Sequence, residues 1–154
     1  MAAFLGGVPR SALILAVAGL LPFGWSVATQ LSPAVADAAL QIFGPRFVGP
    51  YVGLVYGTII LSFMSGVLWG FATRATGHTA TVGYAVSVLP ALWAFFFVGN
   101  GPVSAAIMLM VGFTGLLGLD FLFWRQGFAP VWWMRLRLPL TGAVIACLCV
   151  TAFL

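Results

Sequence analysis

Five stretches of this chain are almost purely apolar, and each is long enough to cross a bilayer core, which takes about 20 residues of helix. They run over 11–28, 51–73, 79–98, 103–124 and 136–154. In lipid every backbone N–H and C=O must be satisfied within the protein, so runs of this length leave helices as the workable solution. The expected fold is an all-α polytopic membrane bundle of about five transmembrane helices, one integral domain over 1–154, with no internal repeat. Composition agrees: 63% of the residues are hydrophobic and 5% charged, against about a quarter charged in soluble domains.

The charges set an orientation. The six cations are all arginines, and the acids are Asp37 and Asp120. With five spans, Arg10, Arg74, Arg125, Arg135 and Arg137 share one side and Arg46 stands alone on the other. Cytoplasmic loops collect Arg and Lys, so the N-terminus is expected on the cytoplasmic or matrix side. A net charge of +4 on a soluble protein would suggest nucleic acid. Here the arginines sit at segment ends, where they anchor helices, and no nucleic-acid partner is expected. The first run also has a signal-peptide reading, with Arg10 as the basic region and Ser26-Val27-Ala28 as a cleavage site. Its length favours a span.

The connections have their own pattern. Ser32-Pro33 reads as a helix start and Gly44 as a stop. Between them Val35, Ala39, Ile42 and Phe43 share a face that Asp37 avoids, as in a helix over 33–43 lying in the outer interface. On the inner side, Trp69, Trp124, Trp132 and Trp133 with their arginines read as an interfacial belt. Pro130 is a helix start leading into segment five, and Pro139 a kink or break. Ser87 and Pro90 predict a bend in segment three, with no second interrupted helix to match it.

Segment two is the least ordinary. At about 100° per residue, Tyr51, Thr58, Ser62, Ser65 and Trp69 fall in one stripe. Gly53 with Gly57, and Gly66 with Gly70, are small-xxx-small spacings that let helices approach closely, and Gly112, Gly115 and Gly118 do the same in segment four. The stripe reads either as a polar groove for a headgroup, quinone or small polar substrate, or as hydroxyls bonded to their own helix and its neighbours.

Asp120 is the one ionisable residue well inside a span. A lone carboxylate in the bilayer costs about 3 kcal/mol, and near the negative end of its helix it needs a cation. Arg74, Arg125, Arg135 and Arg137 are the candidates, for a structural ion pair or a proton or ion relay. His78, the single histidine, reads as solvated or headgroup-contacting. Cys147 and Cys149, two apart on a helix, point to different faces and read as packed thiols. No catalytic, cofactor-binding or metal-ligating set emerges; an intramembrane enzyme would need a nucleophile–base pair or a metal cluster.

The run Y-G-T-I-I-L-S-F-M-S-G-V-L-W-G, Tyr56 to Gly70, is similar to the signature of a small membrane-protein family of unknown function, found in proteobacteria and including the mitochondrial transmembrane protein 69. Trp132 to Thr141 (W-W-M-R-L-R-L-P-L-T), Leu20-Leu21-Pro22 and Asp120 resemble the same family, so the resemblance covers nearly the whole chain. A His or Arg often precedes the family's Trp-Gly pair, and Leu68 stands there in this chain. The resemblance implies fold and topology and a multi-pass place in a bacterial or mitochondrial inner membrane; it implies no activity. The expected function is that of a non-catalytic accessory or assembly subunit of a larger respiratory or photosynthetic complex. Its partners are then the bilayer and neighbouring subunits, with associated lipids and no covalent cofactor. The alternative is a small-molecule, quinone or lipid binding protein, or an oligomeric transporter, using the segment-two stripe and Asp120.

Overall fold

A computed structural model describes residues 7–154; the domain read over 1–154 therefore begins outside the described residues. Among them, eight α-helices and one 3-10 turn follow in order: α1 (Arg10–Ala18), α2 (Leu21–Leu31), α3 (Pro33–Phe43), the turn Pro45–Phe47, α4 (Pro50–Ala72), α5 (Gly77–Ser87), α6 (Leu89–Phe97), α7 (Pro102–Arg125) and α8 (Trp133–Phe153). Taken pairwise where they are continuous, they give five helices long and apolar enough to cross a membrane: Arg10–Leu31, Pro50–Ala72, Gly77–Phe97, Pro102–Arg125 and Trp133–Phe153.

The helices α4 and α7 form the centre. Their buried residues recur every three or four positions: Gly53, Gly57, Leu61, Met64, Leu68 and Ala72 on α4, and Ala105, Leu109, Gly112, Leu116, Asp120 and Phe123 on α7. The two meet by exchanging leucines into glycines. A Cβ on Gly57 would lie 3.0 Å from Leu109 Cδ1, and one on Gly112 would lie 2.6 Å from Leu61 Cδ2. Gly53 takes Ser26 of α2 in the same way, at 3.0 Å from its Oγ. The expectation for Gly66 and Gly70 is corrected. Both are exposed, with nothing within 4 Å of a would-be Cβ, and so are Gly115 and Gly118. Equal spacing gives equal capacity for close approach, and the neighbours occupy one face of each helix.

Proline breaks two spans, where the sequence predicts one. The third span breaks between Ser87 and Leu89, with Pro90 second in α6; the first breaks at Gly19-Leu20, with Pro22 second in α2. Each break carries the same local text: Leu21-Pro22-Phe23-Gly24-Trp25 and Leu89-Pro90-Ala91-Leu92-Trp93. Each Trp then latches onto backbone that follows in the chain. Trp25 Nε1–H donates to the Phe47 carbonyl and Trp93 Nε1–H to the Met108 carbonyl, both at 2.8 Å. Each broken span leads to a long helix headed by Gly-Pro, with Gly49 at φ 82° and Gly101 at φ 95°. The chain thus carries a repeated unit that hydropathy alone does not reveal, with α3 inserted in its first copy.

Two further prolines differ from expectation. Pro130 precedes α8 and does not start it: its carbonyl accepts from the Trp133 N–H at 2.9 Å, closing a turn. Pro139 lies inside an unbroken α8. The carbonyl its ring displaces is in the helix's first turn, beside exposed Arg135, where local adjustment is cheapest. The helix α3 starts on Ser32, whose Oγ accepts from the Val35 N–H at 3.4 Å, and stops at Gly44 with φ 83°. Ala39 packs inward, while Ile42 and Phe43 are exposed.

Candidate functional site

Asp120 sits one and a half turns before the end of α7 and is fully buried. Its two oxygens are taken separately by the first turns of α8. Trp133 Nε1–H donates to Oδ1 at 2.8 Å, and Arg137 Nε–H donates to Oδ2 at 2.7 Å. Arg137 is itself 6% exposed. Because α8 begins at Trp133, Arg137 is inside the bundle and not in the loop, and it and Trp133 leave the interfacial belt for the carboxylate. The ion pair is therefore between neighbouring helices. Arg74 does not join it: its Nη1 donates to the Phe128 carbonyl at 3.0 Å, tying the connection after α4 to the one after α7. Arg125 and Arg135 are exposed.

A cavity of about 590 Å³ opens beside this pair, walled by α1, α2, α4, α7 and α8. Its surface is mostly aromatic and aliphatic, with Phe23, Tyr56, Phe71, Phe113, Trp132 and Trp133 among the rings. Arg137 and Thr141, one turn apart on α8, also form its wall. Both carry an unsatisfied atom: among the described residues, Arg137 Nη2 and Thr141 Oγ1 are buried without a hydrogen-bond partner. Buried polar atoms are overwhelmingly paired, and leaving one unpaired costs about 1–3 kcal/mol. Arg137 and Thr141 line the cavity, and each holds one such atom buried behind its wall.

The segment-two stripe does not form a shared groove. Thr58 Oγ1–H donates to the Leu54 carbonyl and Ser62 Oγ–H to the Thr58 carbonyl, each at 2.9 Å. Ser65 is buried and donates across to the Ser87 carbonyl, at the break between α5 and α6. Tyr51 and Trp69 are exposed, Tyr51 at the other end of the helix; Trp69 packs on Tyr84 with ring centroids 4.8 Å apart. The hydroxyls serve helix and break, the second of the two readings of the stripe, and no shared polar groove is assembled.

A polar network at the opposite end escaped the sequence reading. Thr29 Oγ1 accepts from the Gly49 N–H at 3.0 Å, Ser26 Oγ–H donates to the Gly49 carbonyl at 3.0 Å, and Thr151 Oγ1–H donates to Gln30 Oε1 at 3.1 Å. It joins α2, the entry to α4 and the end of α8. Thr141 was also missed. The signal was available as Trp133, Arg137 and Thr141 at i, i+4, i+8, which share a face once the helix starts at Trp133. Cys147 and Cys149 are free thiols, and Cys149 lies 3.6 Å from Met110 Sδ. Among the described residues, no group of three or more His, Cys, Asp or Glu gathers as a metal site.

Comparison with known proteins places these features in a broader setting. The sequence pattern of a family described as "Protein of unknown function (DUF3429)" matches residues 8–153. Transmembrane protein 69 of Xenopus tropicalis is 29% identical over 141 residues, covering 89% of this chain and 51% of that protein. The chain thus spans about half the length of that relative. No solved structure matches.

Proposed function

This chain belongs to that family of unknown function, and from its membership and its site we propose that it is a non-catalytic, multi-pass membrane protein that binds a small, largely apolar molecule with a hydrogen-bonding head. One observation carries the reading: Arg137 and Thr141, each with a buried polar atom that has no partner among the described residues, line an otherwise apolar cavity. Small-molecule sites have this build, a mostly apolar enclosure of about 300–1,000 Å³ with a few convergent polar groups. The residues differ from the segment-two stripe. Asp120 keeps a part, by holding Arg137 in place.

The test is extraction. Full-length protein purified in mild detergent should yield a bound apolar molecule near one per chain by native mass spectrometry. Thr141→Val, equal in shape and without the hydroxyl, should lose most of it while remaining monodisperse. Equal occupancy in both proteins, or none in either, would overturn the reading.

An accessory or assembly subunit of a respiratory or photosynthetic complex is the second reading. What favours it is the exposed face carrying Gly66 and Gly70 on α4, small residues that admit a close helix neighbour and have none among the described residues. A stoichiometric partner in a pull-down from native membranes would support it. On either reading the proposed location is a bacterial or mitochondrial inner membrane. The excess of Arg10, Arg74, Arg125, Arg135 and Arg137 over Arg46 supports a cytoplasmic or matrix-side N-terminus.

A further inference from the structure

We propose that the groove between α2, the Pro45–Phe47 turn and α4 holds a membrane phospholipid, with its phosphate on Arg46 and one acyl chain laid along α4. The groove measures about 850 Å³. It is separate from the cavity beside Asp120: among the described residues, Tyr56 alone lines both.

Charge selects the head. Arg46 is exposed and lines the groove where the turn leads into α4. Its guanidinium lies 6.0 Å from the Phe47 ring centroid, and among the described residues it makes no ion pair. The turn that carries it is tethered, because Trp25 Nε1–H donates to the Phe47 carbonyl at 2.8 Å. The lining therefore holds one cation and no acid. A guanidinium presents a planar fork of donors that matches phosphate oxygens. Arginines just outside a span lie at the headgroup level, where the bilayer supplies such phosphates.

Depth selects the tail. From Tyr51 to Ile59 the α4 wall descends about 12 Å, close to half of the ~30 Å hydrocarbon core. Val52, Val55 and Ile59 make that wall apolar, and Leu21 and Pro22 face it from α2. An apolar groove one leaflet deep beneath a cation has the outline of a lipid. A partner helix crossing the bilayer would need a groove of full depth, and a free phosphate would leave the apolar stretch uncovered.

The internal repeat supplies a control. Its two copies align at Pro22 with Pro90 and at Trp25 with Trp93, so Leu92 stands where Gly24 does. Gly24 lines the groove, and nothing lies within 4 Å of a Cβ built on it. In the second copy, the hollow of about 480 Å³ at the start of α7 is lined by no residue of α6 and by no cation. The bare backbone at Gly24 and the turn bearing Arg46 distinguish the first copy.

The experiment titrates the detergent-purified full chain with palmitoyl-oleoyl phosphatidylglycerol and, separately, with the diacylglycerol of the same chains. Native mass spectrometry counts the bound lipid. One phosphatidylglycerol per chain should bind about tenfold more tightly than the diacylglycerol. Arg46→Gln should weaken phosphatidylglycerol about tenfold, the loss of a charged hydrogen bond, and leave the diacylglycerol unchanged. Gly24→Leu should weaken both by filling the groove, without lowering thermal stability, since it also improves helix propensity. Thr141→Val, in the other cavity, should change neither. Equal affinity for the two lipids, or Gly24→Leu leaving both unchanged, would overturn the proposal. So would loss of phosphatidylglycerol in Thr141→Val, which moves the lipid to the cavity beside Asp120, or a stoichiometric second polypeptide on a chain that binds neither lipid.

Discussion

The carboxylate of Asp120 is matched one oxygen at a time, by an indole N–H and a guanidinium N–H, and that division fixes what substitution should do. Asp120→Asn removes the charge but leaves Arg137 buried and uncompensated, which should cost about 3–5 kcal/mol. Unfolding in mixed bicelles would read it. Asp120→Leu combined with Arg137→Met removes both charges, keeps the volume, and should recover most of that loss. Recovery absent in the double variant would mean that the pair itself, and not relief of an orphaned charge, stabilises the bundle. The need of Asp120 for a cation is legible in the sequence, because burial near a helix C-terminus leaves it no other compensation. Which cation is not legible. Four arginines lie at the same end, and the choice depends on where α8 starts. Beginning the helix at Trp133 turns Arg137 inward and aligns Thr141 with it.

At the scale of helices, the glycines separate into those that are filled and those that are open. Gly112→Ala forces its Cβ against Leu61 Cδ2 at 2.6 Å and Trp93 Cδ1 at 2.9 Å. Leu61 is fully buried and Trp93 is held by its bond to Met108, so neither moves freely. The expected loss is about 1–3 kcal/mol. Gly66→Ala meets nothing, and should stabilise α4 by about 0.5–1 kcal/mol through helix propensity. Thermal unfolding of the two variants side by side decides the matter, and equal effects would contradict the packing described. The spans themselves were readable, since hydropathy over twenty residues has one solution in lipid. Glycine spacing was not decisive, because a small-xxx-small pair specifies a permitted approach without naming the face that receives it. The break at Gly19-Leu20 was hidden for a related reason. Pro22 sits where it can either kink a helix or start one, and only comparison with Pro90 and the tryptophans three residues after each reveals the shared device.

For the whole molecule, the structure ties the connections after α4 and α7 together through Arg74 and Phe128, at the end opposite Gly49 and Thr151. The proposed orientation puts Gly127 on the cytoplasmic or matrix side and Asn100 on the other. In a background without Cys147 and Cys149, a cysteine at Asn100 should react with a membrane-impermeant maleimide added to intact cells, and one at Gly127 only after the membrane is opened. The reverse pattern would invert the topology. The ion pair between α7 and α8 also bears on how the chain is made. Synthesis delivers Asp120 before Arg137, which follows it by 17 residues. During that interval the fourth span holds a carboxylate without the partner it has in the folded bundle, at a cost of about 3 kcal/mol in lipid. The last two helices are therefore expected to enter the bilayer as a hairpin, with the arrival of Arg137 committing the fourth. Ribosome-stalled chains ending just before and just after α8 should differ in resistance to alkaline extraction from the membrane. On this account the final helix is less an addition to a finished bundle than the condition for its completion, and a premature stop there abandons two helices instead of one.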